Sequence, residues 1–302
     1  MRGQKRNHSL KVSLITVLLL LILYQTLIWA GVVTPSRGVS QWEDNVTRAE
    51  RYMYQDKHTA QMVLVGSSLG NRIKPNDIAP NVTNLSFSGG AAQTGLEILI
   101  RENASPTIVL VELNDTIDRG VSKRLLAELY HPVFHWVRSG LPMFRHEYRP
   151  VAVFVNLLRN NQHKAPQDTV VNAQVRQMRL DRVIDDRMSL FAADEQAAIR
   201  QEAAIVKGQI ALLEQRGWRV ILFDVPRDTL IATTPREMQL RDLIRDLFPS
   251  NQFEWLPEPP SREWMTNDGV HLVAADARAY AQYVEQQLLT TTGQHDPNIV
   301  QP

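Results

Sequence analysis

The chain has 302 residues, of which 44% are hydrophobic and 22% charged, with 14 glycines, 16 prolines and no cysteine. This composition excludes collagen-like, low-complexity, disulfide-stapled and cysteine-ligated zinc proteins, and it is typical of a globular chain with a sizeable core. The net charge is +1, but the first eleven residues carry four basic groups and no acid, so the remainder has a slight acidic excess. Such a body lacks the basic face of a nucleic-acid-binding protein.

The first predicted element is an apolar, uncharged segment at residues 12–33, which is long enough to cross a bilayer. A cleaved signal peptide has a shorter apolar region, and Trp29 near the outer end is typical of an interfacial anchor, so we favour an uncleaved transmembrane anchor. Basic residues precede the segment and none follows before Arg37, which predicts a cytoplasmic tail at residues 1–11. We therefore expect a single-pass protein of the inner (cytoplasmic) membrane with a periplasmic or otherwise extracytoplasmic body, a location that suits a chain without cysteine.

Beyond the anchor, we predict a stalk and first helix at residues 34–60, one domain at residues 61–290 and a tail at residues 291–302. Short apolar runs that end in small or polar residues predict strands, and amphipathic segments follow them. The strands are predicted at residues 61–65, 81–87, 107–113 and 218–225, and the helices at 46–58, 91–102, 193–216, 235–248 and 274–289. This order predicts an α/β fold with three layers, α/β/α, around a parallel sheet, whereas residues 120–190 are not assigned.

The loops after the predicted strands carry the candidate chemistry, because open parallel sheets bind ligands at the carboxyl ends of their strands. Ser68 follows the first strand in VLVGSSLGN, where small neighbours permit a tight turn that exposes its hydroxyl at a helix start. Gly89 follows the second strand, and its backbone N–H can approach a ligand closely. Asn114 follows the third strand, where its amide could stabilise an oxyanion. Each feature alone is also typical of an ordinary turn or helix cap.

Near the C-terminus, the segment TNDGVHL has Asp268 three residues before His271. A turn through Gly269 can bring the carboxylate onto one ring nitrogen while the other ring nitrogen faces a serine, which is the geometry of an acid–base–nucleophile triad. An isolated Asp and His at this spacing is more often a surface feature.

Together, the blocks VGSSLGNRI, NLSFSGG, VELND and NDGVHL resemble, in this order, those of the SGNH or GDSL family of serine esterases and acyltransferases. The resemblance implies a flavodoxin-like SGNH hydrolase fold and identifies residues 61–290 as its catalytic domain. It implies that Ser68 is the nucleophile, His271 the general base and Asp268 its orienting acid. The oxyanion hole would consist of the Ser68 and Gly89 backbones and the Asn114 side chain, with no cofactor and no metal.

Two positions depart from the pattern of that family. Ser67 stands where the family most often has an aspartate, a change also found in its membrane-anchored acyl-transfer members, and Leu113 replaces a glycine that commonly precedes the asparagine. Both leave the reacting groups in place, but Leu113 could reposition Asn114.

Other residues were weighed for a metal site or a sugar platform. His131, His135 and His146 do not form a zinc-binding arrangement, because a proline separates the first two and no H-E-x-x-H spacing occurs. The charge run from Asp181 to Arg187 is typical of a solvated helix face. Aromatic rings beside the site could stack on a sugar, although a role in the core is an equally good prediction for each: Tyr130, Trp255 and Trp264.

The anchor and the resemblance predict hydrolysis or transfer of ester-linked acyl groups, with acetyl as the expected group and a cell-envelope or extracellular polysaccharide as the substrate. The expected partners are an acylated glycan or other ester and a multispanning membrane acyl-transfer protein. Two alternatives remain: an anchored, non-catalytic scaffold of a polysaccharide-modification system, and a lipid esterase with an apolar groove at its site.

Overall fold

The structure, a computed structural model, describes residues 2–36, 38–103, 107–161 and 172–293. These residues divide into two compact units, which are described separately. The first comprises residues 1–50 and 127–164, and the second comprises residues 51–126 and 165–302.

The second unit contains a five-stranded parallel sheet with the strand order β2-β1-β3-β4-β5. The strands are β1 (Met62–Gly66), β2 (Val82–Ser86), β3 (Ile108–Glu112), β4 (Arg219–Phe223) and β5 (Glu254–Trp255). The four longer strands match the sequence predictions to within about two residues, and β5 was not predicted. Strands β1, β3 and β4 are runs of apolar, mostly branched residues buried on both faces, as expected for parallel strands covered by helices.

Side chains alternate between the two faces of the sheet, and each face is covered by helices. On one face, Leu64, Leu110 and Ile221 belong to a core that includes Tyr280 and Val284 of the C-terminal helix. On the other face, the helix that follows β2 packs so closely that a Cβ on its Gly95 would lie 2.7 Å from the Val65 side chain. The predicted α/β fold, with a parallel sheet between helical layers, is therefore confirmed.

The helices of the second unit begin with α3. They are α3 (Ala92–Glu102), α7 (Ala173–Arg187), α8 (Ala193–Gln215), α9 (Thr229–Ala232), α10 (Pro235–Leu247) and α11 (Ala274–Gly293). The predicted helix at residues 46–58 forms in two parts, because α-helix ends at Arg51 and a π-helical turn covers Tyr52–Asp56. The charge run on α7 is not wholly solvated: Arg187 is half-buried and donates a 2.7 Å hydrogen bond to Asp115.

The first unit is helical, and its second segment, residues 127–164, falls in the stretch that the sequence left unassigned. It contains α1 (Arg2–Trp29), α2 (Gln41–Arg51), the end of α4 (Lys123–Leu129), α5 (Pro132–Gly140) and α6 (Pro150–Asn161). Two short 3-10 turns, Pro142–Phe144 and His146–Tyr148, join α5 to α6. Within α1, residues Leu10–Trp29 are long and apolar enough to cross a membrane. Residues 294–302, most of the predicted tail, lie outside the described residues.

Candidate active site

The candidate site lies at the carboxyl ends of β1, β2 and β3, all in the second unit. The chain turns directly after β1, and the two serines of the turn point to different surroundings. Ser67 is 1% exposed, and its hydroxyl donates to Glu112 Oε1 at 3.1 Å while accepting from the Leu69 N–H at 3.2 Å. The Ser68 hydroxyl is instead partly exposed and faces His271.

His271 is held by a turn that spans Thr266–Leu272, which form an isolated antiparallel bridge. The turn closes because the Asn267 N–H donates to the His271 carbonyl at 2.9 Å. Gly269 is required at its tip for two reasons. Its φ is +93°, a conformation that L side chains rarely adopt, and a Cβ there would lie 2.9 Å from both Ile231 and Leu180.

Ser68, His271 and Asp268 form a continuous chain of hydrogen bonds. His271 Nε2 lies 2.9 Å from Ser68 Oγ, and His271 Nδ1 lies 2.8 Å from Asp268 Oδ2. The other carboxylate oxygen, Oδ1, accepts from the backbone N–H groups of His271 and Val270 at 2.9 and 3.2 Å. In this arrangement Nδ1 carries the proton towards Asp268, and Nε2 is free to accept the serine proton.

The electrostatics of Asp268 fit this role. Partial burial acts to raise its pKa, but the hydrogen bonds from the His271 ring and from the backbone outweigh burial and lower the pKa to about 2. Asp268 is therefore ionised at neutral pH, and its charge stabilises an imidazolium on His271.

A second buried carboxylate, Glu112, organises the opposite side of the site. It is the last residue of β3, and its Oε2 accepts the backbone N–H groups of Ser67 at 2.7 Å and Gly70 at 3.0 Å. The Glu112 carboxylate packs directly against Gly66. A Cβ at position 66 would lie 2.2 Å from Oε2, so a side chain there would clash. Burial raises the pKa of Glu112 to about 7, against the lowering effect of these hydrogen bonds. A buried carboxylate thus lies beside Ser67.

The carboxamide of Asn114 is hydrogen-bonded at both ends. Its Nδ2 donates to Glu112 Oε1 at 2.6 Å and to Ser67 Oγ at 3.0 Å, and its Oδ1 accepts from Thr116. Leu113 does not distort the strand, since its N–H donates to the Phe223 carbonyl and prolongs the pairing of β3 with β4. Asn114 therefore reaches the site, but both its amide hydrogens are engaged by protein groups.

The backbone N–H groups of Ser68 and Gly89 differ from the Asn114 amide in having no hydrogen-bond partner among the described residues. Gly89 follows β2 with a φ of +73°. These two N–H groups are available to a negatively charged oxygen without breaking an existing bond.

Arg176 on α7 supports the histidine turn and was not singled out from the sequence. Its Nε donates to the Thr266 carbonyl at 2.7 Å, and its Nη2 donates to Asp228 Oδ2 at 2.7 Å. Asp228 in turn donates its backbone N–H to the Gly269 carbonyl at 2.9 Å. Through Asp228, one arginine thus links the start of the turn to its tip. Its partners lie 52 and 90 residues away in sequence, so no local pattern could reveal it.

A cavity of about 270 Å³ borders Asn114, and its lining combines charged and aromatic side chains with many aliphatic ones, such as Val225, Leu240 and Ile244. Half-buried Trp255 lines it, and the guanidinium of Arg245 lies 3.9 Å from the centre of its ring. Trp264 is buried and packs edge-on against Tyr280, so it belongs to the core. Tyr130 lies in the first unit. Of the three aromatic residues considered for a sugar platform, Trp255 is the one that reaches this cavity with part of its ring exposed.

The histidines considered for metal binding lie in the first unit and contact other partners. His131 packs on Phe134, His135 stacks on Tyr130, and His146 Nδ1 lies 2.9 Å from Glu50. Across residues 2–36, 38–103, 107–161 and 172–293, no group of three or more histidine, aspartate or glutamate side chains could hold a metal ion.

No protein-family profile and no curated protein sequence matches the chain. Among solved structures, the chain is similar to a candidate acylhydrolase from Bacteroides fragilis, with a TM-score of 0.40 and 12% sequence identity. The alignment covers 81% of this chain and 97% of that one. The function is therefore argued from the geometry of the site.

Proposed function

We propose that this protein is an SGNH-type serine esterase or O-acyltransferase that acts on ester-linked acyl groups. The observation that carries the proposal is the unbroken chain from Ser68 Oγ through the His271 ring to the Asp268 carboxylate, with both links under 3 Å. A serine is a weak nucleophile unless an adjacent base removes its proton. These hydrogen bonds supply such a base, because a proton on Nδ1 leaves Nε2 of His271 free to accept the serine proton.

The proposed reaction has two steps. His271 takes the Ser68 proton while Oγ attacks the ester carbonyl, and the resulting oxyanion is stabilised by the N–H groups of Ser68 and Gly89. Collapse breaks the ester bond, and the proton on His271 passes to the leaving alkoxide, which leaves an acyl-serine. Water or a sugar hydroxyl then gives its proton to His271 and attacks the acyl-serine. The bond from the acyl carbon to Ser68 Oγ breaks, and His271 returns the proton to Oγ. Asn114 joins the oxyanion hole if its amide turns away from Glu112.

The proposed substrate is an acetylated polysaccharide of the cell envelope or outside the cell. A glycan site needs hydrogen-bonding groups and an aromatic face, and the cavity beside Asn114 offers Asp224, Arg241 and Trp255 among its lining residues. A lipid esterase would need an apolar groove there, and the aliphatic residues that also line the cavity keep it as the second candidate. The anchor predicted at residues 12–33 would hold the enzyme at the envelope, where a multispanning acyl-transfer protein could supply acyl groups.

The proposal can be tested with the full chain purified in detergent. It is incubated with acetylated polysaccharide, or with an acetyl-ester donor and glycan acceptors, and the products are identified by mass spectrometry. We expect free acetate or an acetylated glycan from the wild type and neither from Ser68→Ala. The matched comparison is Ser67→Ala, which removes a hydroxyl that contacts Glu112 and Asn114 but not His271, and which should therefore keep part of the activity. Equal turnover by the wild type and Ser68→Ala would contradict the proposal, and inactivity of folded wild type and variants alike would favour the scaffold alternative.

A further inference from the structure

Helix α5 of the first unit has a burial pattern opposite to that of an amphipathic helix in a soluble domain. On α5, Trp136 is 77% exposed and Val133 is 62% exposed, whereas Arg138 is 4% exposed. An amphipathic helix in water turns its apolar stripe to the core and its charges to the solvent. Here the charge points inward and the apolar side chains point outward, which indicates that the outer surface does not face water alone.

The buried charges around α5 are paired with one another, and these pairs stabilise the buried position of Arg138. Arg138 donates to Glu128 Oε1 at 2.6 Å and lies 3.3 Å from the fully buried Glu50. The second oxygen of Glu50 accepts the His146 N–H at 2.7 Å. Such a network fixes the orientation of α5, because turning the helix to bury Trp136 would strand an unpaired guanidinium and carboxylate.

Exposed apolar residues continue from α5 through the connecting turn and along α6. On α6 they recur at positions 151, 154 and 158, the spacing of one helical face. Between residues 129 and 161, the sequence has four arginines and a single acid, Glu147, which is buried. We name this surface the α5–α6 apolar face, and it comprises Val133, Phe134, Trp136, Leu141, Phe144, Val151, Phe154 and Leu158.

The segment that joins α5 to α6 makes direct contact with the end of the membrane-spanning candidate, α1. The Tyr24 hydroxyl donates to the Tyr148 carbonyl at 2.6 Å, and the Met143 N–H donates to the buried Gln25 side chain at 3.1 Å. Twenty helical residues, Leu10–Trp29, cover about 30 Å, the thickness of the hydrocarbon core. Tyr24 therefore lies within about 8 Å of the end of that span, which is the depth that interfacial helices reach.

We propose that the α5–α6 apolar face lies in the interface of the bilayer that α1 spans, with its aromatic and aliphatic side chains among the lipids. This inference rests on the anchor that forms part of the proposed function. The occupant is lipid because the face is continuous with the lipid-facing end of α1, because it carries exposed tryptophan and phenylalanine, and because it lacks exposed acids.

The test uses the absence of native cysteines. Single-cysteine variants of the full chain are labelled with an environment-sensitive fluorophore and reconstituted at low density in vesicles of phosphatidylcholine and phosphatidylglycerol. Trp136→Cys and Phe154→Cys report on the face, Leu19→Cys reports on the span, and Leu212→Cys is the control, being an exposed apolar residue of α8 in the other unit. Quenching by spin-labelled lipids is then measured. All four side chains are exposed, and circular dichroism checks that each variant folds.

We expect quenching at positions 136 and 154 to be several-fold stronger than at 212 and to approach that at 19. Quenching at 19 with none at 136 and 154 would overturn the proposal and leave the anchor intact. No quenching at any of the three would overturn both. If position 136 is quenched by lipid in pure-lipid vesicles but is shielded from that quenching in native membranes, the proposal is also overturned. The face would then be covered by an integral membrane protein.

Discussion

The two sides of the candidate site are built in different ways. On the acid–base side, Asp268 and His271 are three residues apart, and one turn supplies almost all their hydrogen bonds. On the oxyanion side, Asn114 and Ser67 meet around Glu112, a buried carboxylate on a different strand from Ser67. The acid–base side already has the geometry that the reaction needs, whereas the Asn114 amide must exchange partners to stabilise an oxyanion. Substitutions on the two sides should therefore differ in size and in kind.

The largest effect is expected from removing the base. His271→Ala should lower turnover by roughly 10⁴-fold or more, because Ser68 then has no proton acceptor. Ester hydrolysis by the purified chain measures this, with Ser67→Ala as a control that leaves the acid–base side unchanged. Wild-type turnover in His271→Ala would rule out this base and direct attention to His131, His135 and His146.

Asp268→Asn should reduce turnover by roughly 10³ to 10⁴, because an amide can stabilise the wrong histidine tautomer and carries no charge for the imidazolium. It should also change acid stability. Since the folded pKa of Asp268 lies near 2, below its unfolded value of 3.8, its contribution to stability is present above pH 4 and is lost as the pH falls towards 2. Acid unfolding followed by circular dichroism should lose this component in Asp268→Asn. An unchanged acid transition would contradict the ion pairing.

Asn114→Ala should lower kcat by roughly 10² to 10³ if the amide turns towards the oxyanion in the transition state. The effect should fall on kcat and spare KM, because the amide would contact the oxyanion only in the transition state. This split distinguishes the Asn114 side of the site from the acid–base side. A loss under tenfold would mean that the amide stays with Glu112 and that the N–H groups of Ser68 and Gly89 form the hole alone.

Glu112→Gln should destabilise the fold by about 1 to 3 kcal/mol, because an amide nitrogen would face backbone donors that now point at a carboxylate oxygen. The pH dependence identifies the group. Burial raises its pKa from 4.5 to about 7, so the folded state holds a proton that the unfolded state has released. Wild-type stability should therefore fall by about 3 kcal/mol between pH 4.5 and 7. Urea titrations at several pH values measure the free energy of unfolding, and this pH-dependent loss should be absent in Glu112→Gln. The same pH dependence in both proteins would contradict the assignment to Glu112.

The smallest effect is expected from Arg176→Met, which keeps an unbranched side-chain stem but removes the guanidinium and its hydrogen bonds to the histidine turn. Turnover should fall by roughly tenfold, because small misplacements of catalytic groups are costly. Arg179→Met on the same helix is the matched control and should be silent. If both variants behave alike, Arg176 does not position the turn.

The sequence predicted the sheet well because its information is local. Three apolar runs, those of β1, β3 and β4, end at turn residues, and burial on both faces follows from their composition alone, as in β3. The two-residue strand β5 was missed because Glu254 and Trp255 have no alternation or apolar run to detect. Within residues 120–190, helix α5 resisted assignment for a physical reason. On α5, the apolar side chains are exposed and Arg138 is buried, so patterns calibrated on water-soluble helices do not apply.

The site residues divide in the same way. Asp268 and His271 could be paired from their spacing. Glu112 was missed, although a charged residue at the end of an otherwise apolar strand is a signal for a buried carboxylate with a specific role. The engagement of Asn114 by Ser67 depends on residues 47 positions apart, which only the folded sheet brings together.

The central claim is that Ser68 is an activated nucleophile, and covalent labelling tests it most directly. A fluorophosphonate probe is added to the full chain in detergent, and the modified peptide is identified by mass spectrometry. The account predicts a single adduct on Ser68, none in Ser68→Ala, and slow labelling in His271→Ala. An unmodified Ser68, an adduct on Ser67, or equal labelling rates in the wild type and His271→Ala would contradict it.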